Sequence, residues 1–517
     1  MPRDLPTVVP GPSIYEFVRA HLGPDGRLVE AGRELPDEPQ VSSGQLRWAP
    51  GAMDGVWGHH TGTEQAAEQV ERAADLFANA CRRPSARHLR ALHEALSDDI
   101  LRMVDPLLEQ LAGHGVDRAA AHRVGHWLAT TGTRRGPVKI GIAVLGASGV
   151  GPDLEVVRTL GAHDEFTLFA AVALMNGVPE PEAELWALAR TVDGWGRIQC
   201  VERLRGTTDP AIRAWMLREG YRNSIMYEYL AYIAATTGGL LDALHQEEVG
   251  RELLTSAGEI LEALVAGGPA ENLDDYEAGA DAVEAYLGHM DTRAETLGDF
   301  QAIAAIRSYL TREDGWDARS QRGWTATRRD AFEARCDELL QRDLWNDRIA
   351  AGLRSADELE FWRADQAARL RGADTFAVHL ARIREDPLDG PWSAAWEQAD
   401  RDRAEQLAAA ARELLRLELI GTGPADELGT GPAFRPHRAL DWTLQALGDH
   451  VGVGADLLLV GLQSPVTRNR NLALNALRAW PSSAWPAGAR ELAATLARSD
   501  PNARTRELAA EAVAGDG

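Results

Sequence analysis

The sequence has few of the features that mark secreted, membrane-spanning or disulfide-linked proteins. Its 517 residues include three cysteines, at positions 81, 200 and 336, and their spacing forms neither a disulfide framework nor a metal-ligand pattern. No charge-free run is long enough to cross a membrane, and the first residues lack the apolar core of a signal peptide. We therefore expect a cytoplasmic protein without a membrane partner.

Basic residues are also fewer than acidic ones. The chain carries 78 Asp and Glu residues against 54 Lys and Arg residues, which gives a formal net charge of -24. Nucleic acids and anionic membrane surfaces require a basic patch that outweighs the repulsion from such a surplus of acid. The composition therefore disfavours a nucleic acid or an anionic membrane surface as the main partner.

The apolar residues follow a helical period through most of the chain. From about Glu64 onward they recur three and four positions apart, in a background of Ala, Leu, Glu and Arg with few alternating runs. This pattern predicts an all-α fold. The first 62 residues are instead rich in Pro and Gly and predict an irregular N-terminal segment with one short helix, from Ser13 to His21.

A repeat of 29 residues occurs in the middle of the chain. Pro152, Pro181 and Pro210 stand 29 residues apart, and each has an acidic neighbour. Proline suits the first turn of a helix because no partner is needed for its nitrogen there, and an acidic residue suits the positive end of the helix dipole. The spacing therefore predicts stacked helical hairpins, which together form an α-solenoid. The predicted first helices are Leu154 to Leu160, Ala183 to Arg190 and Ala211 to Arg218, with breaks at Gly161, Gly194 and Gly220.

A similar pattern returns near the C-terminus with a longer period. Pro465 precedes the apolar stretch Asn471 to Leu477, and Pro501, 36 residues later, precedes Leu508 to Val513. An Arg follows each Pro by three positions. These stretches resemble the HEAT repeat family, and the shorter repeats in the middle are HEAT-like. The resemblance implies helical pairs that stack into a solenoid with a concave binding face.

Together these patterns divide the chain into five parts. Residues 1–62 form the irregular segment, and residues 63–310 form HEAT-like helical repeats. Residues 311–420 are rich in Arg, Ala, Glu and Trp with few breaks, so we expect longer helices there. Residues 421–436 are a Gly- and Pro-rich linker, and residues 437–517 are the C-terminal HEAT repeats. Trp186, Trp215 and Trp442 occur at helix-face spacing and are expected in the core.

One glycine-rich stretch shares sequence features with a nucleotide-binding loop. Val138 to Gly151 reads like a strand that leads into a phosphate loop, but the spacing of Gly146, Gly149 and Gly151 differs from the dinucleotide fingerprint. No alternation of strands and helices surrounds it. We therefore predict a buried helix from Pro137 to Leu145 that ends at a glycine, with the phosphate loop as the alternative.

Two groups of polar residues are candidate site residues. The first, in the irregular segment, consists of Asp54, Trp57, His59 and His60, and functional side chains are frequent in such loops. The alternative is that this segment, with Trp48, covers the end of the solenoid. The second group is His163, Asp164 and Glu165, which precede the predicted helix Phe166 to Met175. Helix capping is the alternative to a functional role for this group.

His122 and His126 are a weaker candidate for metal binding. They stand four residues apart in a predicted helix, so one face would present two imidazoles. The sequence offers no third ligand, and a solvated pair or a pair at the edge of the core is favoured.

Five segments carry a second resemblance. They are Leu35 to Glu38, Trp48 to His60, Leu160 to Thr167, Gly194 to Ile198 and Asn223 to Ala231. In this order they resemble a bacterial family often labelled limonene hydroxylase, and the resemblance covers roughly the first half of the chain. It implies the oxygenation of a monoterpene, without assigning a role to any residue.

The residues themselves favour a scaffold over an oxygenase. Oxygenation of a C–H bond requires a haem, flavin, iron or copper centre, and the sequence contains no haem, flavin or nicotinamide motif. Iron held by two His residues and a carboxylate near the N-terminal His residues is the alternative that stays open. We expect a helical-repeat protein without a cofactor that binds a protein on its concave face, and the iron oxygenase is the alternative. Whether the chain is an enzyme is left open.

Overall fold

The computed structural model describes residues 5–6, 8–38, 50–51, 64–96 and 103–514. In these ranges the secondary structure is helical and contains no β-strand, which confirms the prediction of an all-α fold. None of the described helices is both long and apolar enough to cross a membrane. The described residues divide into two compact units, here called unit 1 (the described residues up to 345) and unit 2 (the described residues from 346 to 514).

Unit 1 contains the first eighteen described α-helices. They are α1 (Ile14–Ala20), α2 (Glu64–Arg82), α3 (Ala86–Ala95), α4 (Val104–Gly113), α5 (Arg118–Thr131), α6 (Arg135–Ser148), α7 (Leu154–Gly161), α8 (Asp164–Gly177), α9 (Pro181–Thr191), α10 (Gly194–Arg203), α11 (Pro210–Trp215), α12 (Glu228–Thr237), α13 (Leu240–Leu244), α14 (Arg251–Ala266), α15 (Gly279–Arg293), α16 (Leu297–Leu310), α17 (Trp316–Ser320) and α18 (Ala326–Leu340). The boundary between the units falls within α19 (Leu344–Gly352).

The repeat prolines lie at helix starts, as predicted. Pro181 is the first residue of α9 and Pro210 the first of α11. Pro152 lies in a 3₁₀ turn, Gly151–Asp153, that continues into α7. The carboxylate of Asp209 accepts hydrogen bonds from the amides of the first turn of α11, at 2.7 and 3.1 Å. This acid caps its helix because the first amides of a helix have no partner within it.

The third repeat differs from the prediction in its second half. The predicted helix Ala211 to Arg218 is α-helical only as far as Trp215, and Met216–Gly220 form a π-helical turn. The indole of Trp215 lies against Gly220, where a Cβ atom would be 2.8 Å from the ring. A wider turn that ends on glycine therefore makes room for this tryptophan.

The helices of unit 1 pack in sequence order. Within the described part of this unit, α6 packs on α8, α8 on α10, α10 on α12, α12 on α14, α14 on α16 and α16 on α18. The intervening helices flank this row, since α7 and α9 both pack on α8. The core of unit 1 therefore runs along a row of helices. Each helix of the row packs on the helix that is two places later in the chain order.

The glycine-rich stretch after Pro137 is helical. It forms α6, whose residues from Gly136 to Ile142 are buried, and the alternative of a strand before a phosphate loop is wrong. Its glycines permit close packing, since a Cβ at Gly141 would lie 2.5 Å from the backbone nitrogen of Ala129 on α5. The helix ends before Gly149, whose φ of +103° suits glycine alone.

Unit 2 contains the remaining described α-helices. They are α20 (Glu358–Leu370), α21 (Phe376–Glu385), α22 (Trp392–Glu397), α23 (Arg401–Leu414), α24 (Leu417–Ile420), α25 (Arg435–Ala446), α26 (Ala455–Leu462), α27 (Thr467–Ala479), α28 (Ala489–Ser499) and α29 (Ala503–Ala514). Here α25 packs on α27 and α27 on α29. Trp442 on α25 is 46% exposed, so its expected place in the core is wrong, whereas Trp215 in unit 1 is 8% exposed.

The helices over residues 311–420 are not longer than those that precede them. They run from 4 residues in α24 to 15 in α18, whereas α14 in the preceding part has 16. Glycines with φ of +80°, +86° and +75° occur at positions 315, 323 and 372, and the chain turns at each of them. Single glycines among good helix formers thus end helices that composition alone would extend.

The 36-residue repeat of unit 2 is visible in its hydrogen bonds. Arg470 at the start of α27 donates to the carbonyls of Ser464 and Pro465, at 2.8 and 3.0 Å. Arg506, 36 residues later in α29, donates to the carbonyls of Asp500 and Pro501, at 2.6 and 3.2 Å. The two turns that precede these helices are therefore held in the same way.

Candidate functional site

The start of α8 brings together most of the described candidate residues. His163 immediately precedes the helix, and it is 2% exposed. Its Nδ1 accepts a hydrogen bond from the amide of Glu165 at 3.1 Å, and its Nε2 lies 3.3 Å from the carbonyl oxygen of Arg33. This geometry requires the proton on Nε2. Burial lowers the pKa of His163 to about 4, so the ring is a neutral helix cap.

Glu165 is the acidic centre of a buried ion-pair network. Its Oε1 lies 2.7 Å from Nζ of Lys139, and its Oε2 lies 3.6 Å from the guanidinium of Arg135. The amide of Gly51 donates to Oε2 at 3.2 Å. Burial by itself would raise the pKa of Glu165, but the cations of Lys139 and Arg135 outweigh that effect and hold the pKa below its ordinary value. Glu165 is therefore an ionised structural anchor.

Lys139 is the only lysine in the sequence, since 53 of its 54 basic residues are arginines. It lies on α6 and is 6% exposed. Besides its ion pair with Glu165, its ammonium group lies 5.2 Å from the ring centroid of Phe169 on α8. A cation between a carboxylate and an aromatic face links α6 to α8 at the site.

Arg135 connects this network to the N-terminal segment. Its backbone amide donates to Asp37 at 2.7 Å, and its guanidinium donates to Glu38 at 2.6 Å. Burial disfavours its charge, but Glu165, Glu38 and Asp37 outweigh that effect and raise the pKa of Arg135. The segment Leu35 to Glu38 is thereby fixed to the start of α6.

Asp164 differs from its two neighbours in its chemistry. Its Oδ1 accepts a hydrogen bond from the amide of Gly196 at 3.1 Å, next to Thr167. The residue is half-buried, and the loss of water around its carboxyl group raises its pKa to about 7, with a smaller contribution from Asp193. A carboxyl group that changes protonation near neutral pH is suited to general acid–base chemistry or to binding a cation.

Trp195, the chain neighbour of Gly196, belongs to an aromatic pair, and the backbone of Gly51 lies close to Asp164. The ring of Trp195 packs on that of Tyr229 with centroids 5.3 Å apart. Gly51, with φ of +74°, passes so close that a Cβ there would lie 2.7 Å from the carbonyl oxygen of Asp164 and 3.5 Å from Cβ of Trp195. Only glycine permits this approach, and it places the backbone of residue 51 directly beside Asp164.

Described residues from each of the five segments of the second resemblance therefore meet in one region. Asp37 and Glu38 reach Arg135, Gly51 reaches Glu165, and Gly196 reaches Asp164. The fifth segment joins through Asp193, whose carboxylate accepts a hydrogen bond from the amide of Ser224 at 2.9 Å. Asp54, Trp57, His59 and His60, together with Trp48, lie outside the described residues.

His122 and His126 belong to a different set of contacts. Both face Asp153, with His122 Nε2 2.8 Å from one carboxylate oxygen and His126 Nδ1 2.7 Å from the other. Among the described residues, no group of three His, Cys, Asp or Glu side chains is placed to hold a metal ion.

The two cations of the network are not among the residues that the sequence singles out. Lys139 and Arg135 lie in the stretch that the sequence predicts only as a buried helix and the residues just before it. A lone lysine within a buried apolar helix is the available signal, because a buried ammonium group requires a nearby carboxylate.

Comparisons of the chain with family models, with curated proteins and with solved structures found no match. The resemblances to HEAT repeats and to the family labelled limonene hydroxylase therefore stay predictions.

Proposed function

We propose that this chain is a scaffold protein whose HEAT-like helical pairs form α-solenoids and bind a protein partner. The observation that carries the proposal is the row of helices α6, α8, α10, α12, α14, α16 and α18, each packed on the next. The repeated arginine contacts of α27 and α29 support the same architecture in unit 2. Rows of this kind present long surfaces that suit the binding of another macromolecule.

The outer side of α20 is the surface that best suits such a partner. Leu359, Trp362 and Leu370 are 58%, 38% and 60% exposed. At 100° per residue they point to one side of the helix, because they are three and eight positions apart. An exposed group of large apolar side chains is typical of a protein-binding surface. The ring of Trp362 also packs on that of Phe361, at 5.3 Å between centroids, which orders it before binding.

The net charge suggests the character of the partner. A chain of charge -24 attracts a protein whose binding face combines apolar contacts with basic residues. We therefore expect the complex to form more slowly at high salt, since salt screens long-range attraction.

The test is a comparison of captured partners across three forms of the protein. The wild type, a Leu359→Ser/Leu370→Ser variant and a Leu419→Ser variant would each be cross-linked in extracts of the source organism and analysed by mass spectrometry. Leu419 is a matched control, because it is an exposed leucine on α24 with 47% exposure. We expect a partner that the wild type and Leu419→Ser capture and the double variant loses. Equal capture by all three forms would show that α20 is not the docking surface, and no enriched protein would contradict the scaffold proposal.

An iron-dependent oxygenase is the second candidate function, and the meeting of the five segments at the start of α8 favours it. Of the three acidic or imidazole side chains there, His163 and Glu165 are occupied by structural contacts. The carboxylate of Asp164 fits the role of an iron ligand. Two imidazoles would have to come from His59 and His60, and the bound iron would supply the activation of O₂.

The chain length permits this assignment. His59 is eight residues beyond Gly51, and an extended chain covers about 3.5 Å per residue.

Iron content of the purified protein, measured by elemental analysis, tests the candidate. This candidate predicts one iron per chain in the wild type and in Asp75→Asn, whose carboxylate is 64% exposed, and loss of iron in Asp164→Asn. A wild type without iron after purification under anaerobic, iron-supplemented conditions would refute this candidate and leave the scaffold proposal intact.

A further inference from the structure

A second polar cluster of unit 1 lies at the C-terminal end of α6. Ser148 Oγ is 3.0 Å from Nδ1 of His122, and Nε2 of the same ring is 2.8 Å from Oδ2 of Asp153. The Asp153 side chain is 9% exposed, and that of His122 is 21% exposed. A hydroxyl group, an imidazole and a carboxylate are thus connected in series from the surface inward.

This order of groups is the one by which proteins activate a serine. The imidazole removes the hydroxyl proton as the oxygen attacks, and the carboxylate orients the ring and stabilises its charged form. Here the serine faces Nδ1 and the carboxylate faces Nε2. Either ring nitrogen can act as the base, provided that the other one carries the proton. With Nε2–H donated to Asp153, the lone pair on Nδ1 points at Ser148.

Two further contacts of Ser148 bear on this role. Its hydroxyl donates to the carbonyl oxygen of Val144 at 2.6 Å, so its single proton must turn from that carbonyl to Nδ1 of His122 before the oxygen attacks. The guanidinium of Arg118 donates to the carbonyl of Ser148 at 3.0 Å, so a cation stands beside the serine. A positive group in this place can stabilise an oxyanion that forms on an attacked ester.

The approach to Ser148 is open on the side of Gly149. This glycine has φ of +103°, and apart from its two chain neighbours a Cβ there would have only Arg118 Nη2, at 3.5 Å, among the described atoms within 4 Å. Ser148 lies nine positions after Lys139 on α6, a distance of roughly 14 Å along the helix axis. The cluster is therefore separate from the one at the start of α8.

We propose that Ser148, His122 and Asp153 form a hydrolytic site for small carboxylic esters. Ser148 Oγ bonds to the carbonyl carbon while its proton passes to His122 Nδ1. The bond from that carbon to the alcohol oxygen then breaks, and the alcohol leaves with the proton from His122. Water, deprotonated by His122, releases the acid and restores the serine. Asp153 is a positioning residue, and His126, 2.7 Å from its other oxygen, holds Asp153 in place.

The test uses a fluorescent fluorophosphonate, which reacts with activated serines, and the chromogenic ester p-nitrophenyl acetate. We expect a phosphonate adduct on Ser148, located by mass spectrometry of proteolytic peptides. Ser148→Ala should abolish both the adduct and ester hydrolysis. His122→Gln should slow labelling by about 100-fold or more, because proton transfer typically contributes 10²–10⁴ in rate. His88→Gln is the control, since His88 is a half-buried imidazole on α3 whose ring contacts the carbonyl of Arg83.

Thermal melts of each variant show whether it is folded, and Ser148→Ala is the decisive variant because it removes a single oxygen atom. The proposal is wrong if folded wild type gains no adduct on Ser148, or if Ser148→Ala hydrolyses the ester as fast as wild type does. Equal labelling rates for wild type and folded His122→Gln would also overturn it, since the serine would then react without its base.

Discussion

The ion pair between Arg470 and Asp500 should be among the most stabilising contacts of unit 2. Both side chains are fully buried, and the guanidinium donates to both carboxylate oxygens, at 2.7 and 2.9 Å. Arg470 also donates to the carbonyls of Ser464 and Pro465. The amide of Asn502 donates to Asp500 at 2.9 Å. Each charge of the pair is therefore compensated within the protein. Removal of one partner leaves the charge of the other buried, with neither a counter-charge nor access to solvent.

The expected cost follows from this burial. Removal of one member of a buried ion pair typically costs about 3–5 kcal/mol, because the remaining charge is uncompensated. We expect Arg470→Met and Asp500→Leu each to reach that range. The double variant should cost less than the sum by about 2 kcal/mol or more, since it leaves no buried charge behind.

Differential scanning calorimetry is the suitable assay, because two units need not unfold in a single transition. For a unit of this size about 1 kcal/mol corresponds to roughly 2–4 °C, so each single variant should lower one transition by roughly 6–20 °C. Arg506→Met is the matched control. Arg506 makes the same two carbonyl contacts in the next repeat but is half-buried, and its removal should cost only about 1–2 kcal/mol. Strictly additive effects of Arg470→Met and Asp500→Leu would refute the reasoning.

Three further predictions concern the start of α8. Burial raises the pKa of Asp164 from 3.8 to about 7, so the stability that its protonated form provides is complete below pH 4 and is lost as pH rises through 7. The melting temperature of metal-free Asp164→Asn, relative to wild type, should therefore increase between pH 5 and pH 8, and a constant difference would contradict this. His163 has its pKa lowered from 6.5 to about 4, so wild type should lose stability as pH falls through that range, and the loss should be smaller in His163→Asn, which can still cap the helix. Gly196→Ala should lower the free energy of unfolding by about 1–3 kcal/mol, because its Cβ would collide with Asp164. Gly113→Ala is the control and should not lower it, because open space surrounds Gly113. Equal melting temperatures for the two variants would argue against so close an approach of Gly196 to Asp164.

The helical elements are predictable because their signals are local. The proline and acidic residue at the start of α9 or α11 act on the first turn of the same helix, so no distant partner is needed. Trp442 shows the limit of this information. Periodicity indicates which residues share a side of a helix, but not whether another helix covers that side. Its exposure depends on the neighbours of α25, which the local sequence does not specify.

The candidate site is predictable only in part, for the same reason. His163, Asp164 and Glu165 stand out by their place before a helix, but their three different roles depend on distant residues. Glu165 is an anchor because Lys139 lies 26 positions earlier in the chain and on the adjacent helix. Asp164 faces Gly196, 32 positions later. Such pairings arise from the stacking of helices, and a single sequence contains no direct record of them.

The enclosure of Lys139 has a practical consequence for the chemistry of the folded chain. Reagents and enzymes that modify lysine side chains find one target in 517 residues, and that target is 6% exposed between α6 and α8. Acylation of Lys139 should therefore require a transient separation of these two helices. Its rate reports how often the start of α8 opens, much as amide exchange reports local unfolding. The protein thus carries a built-in probe for motion at its own candidate site.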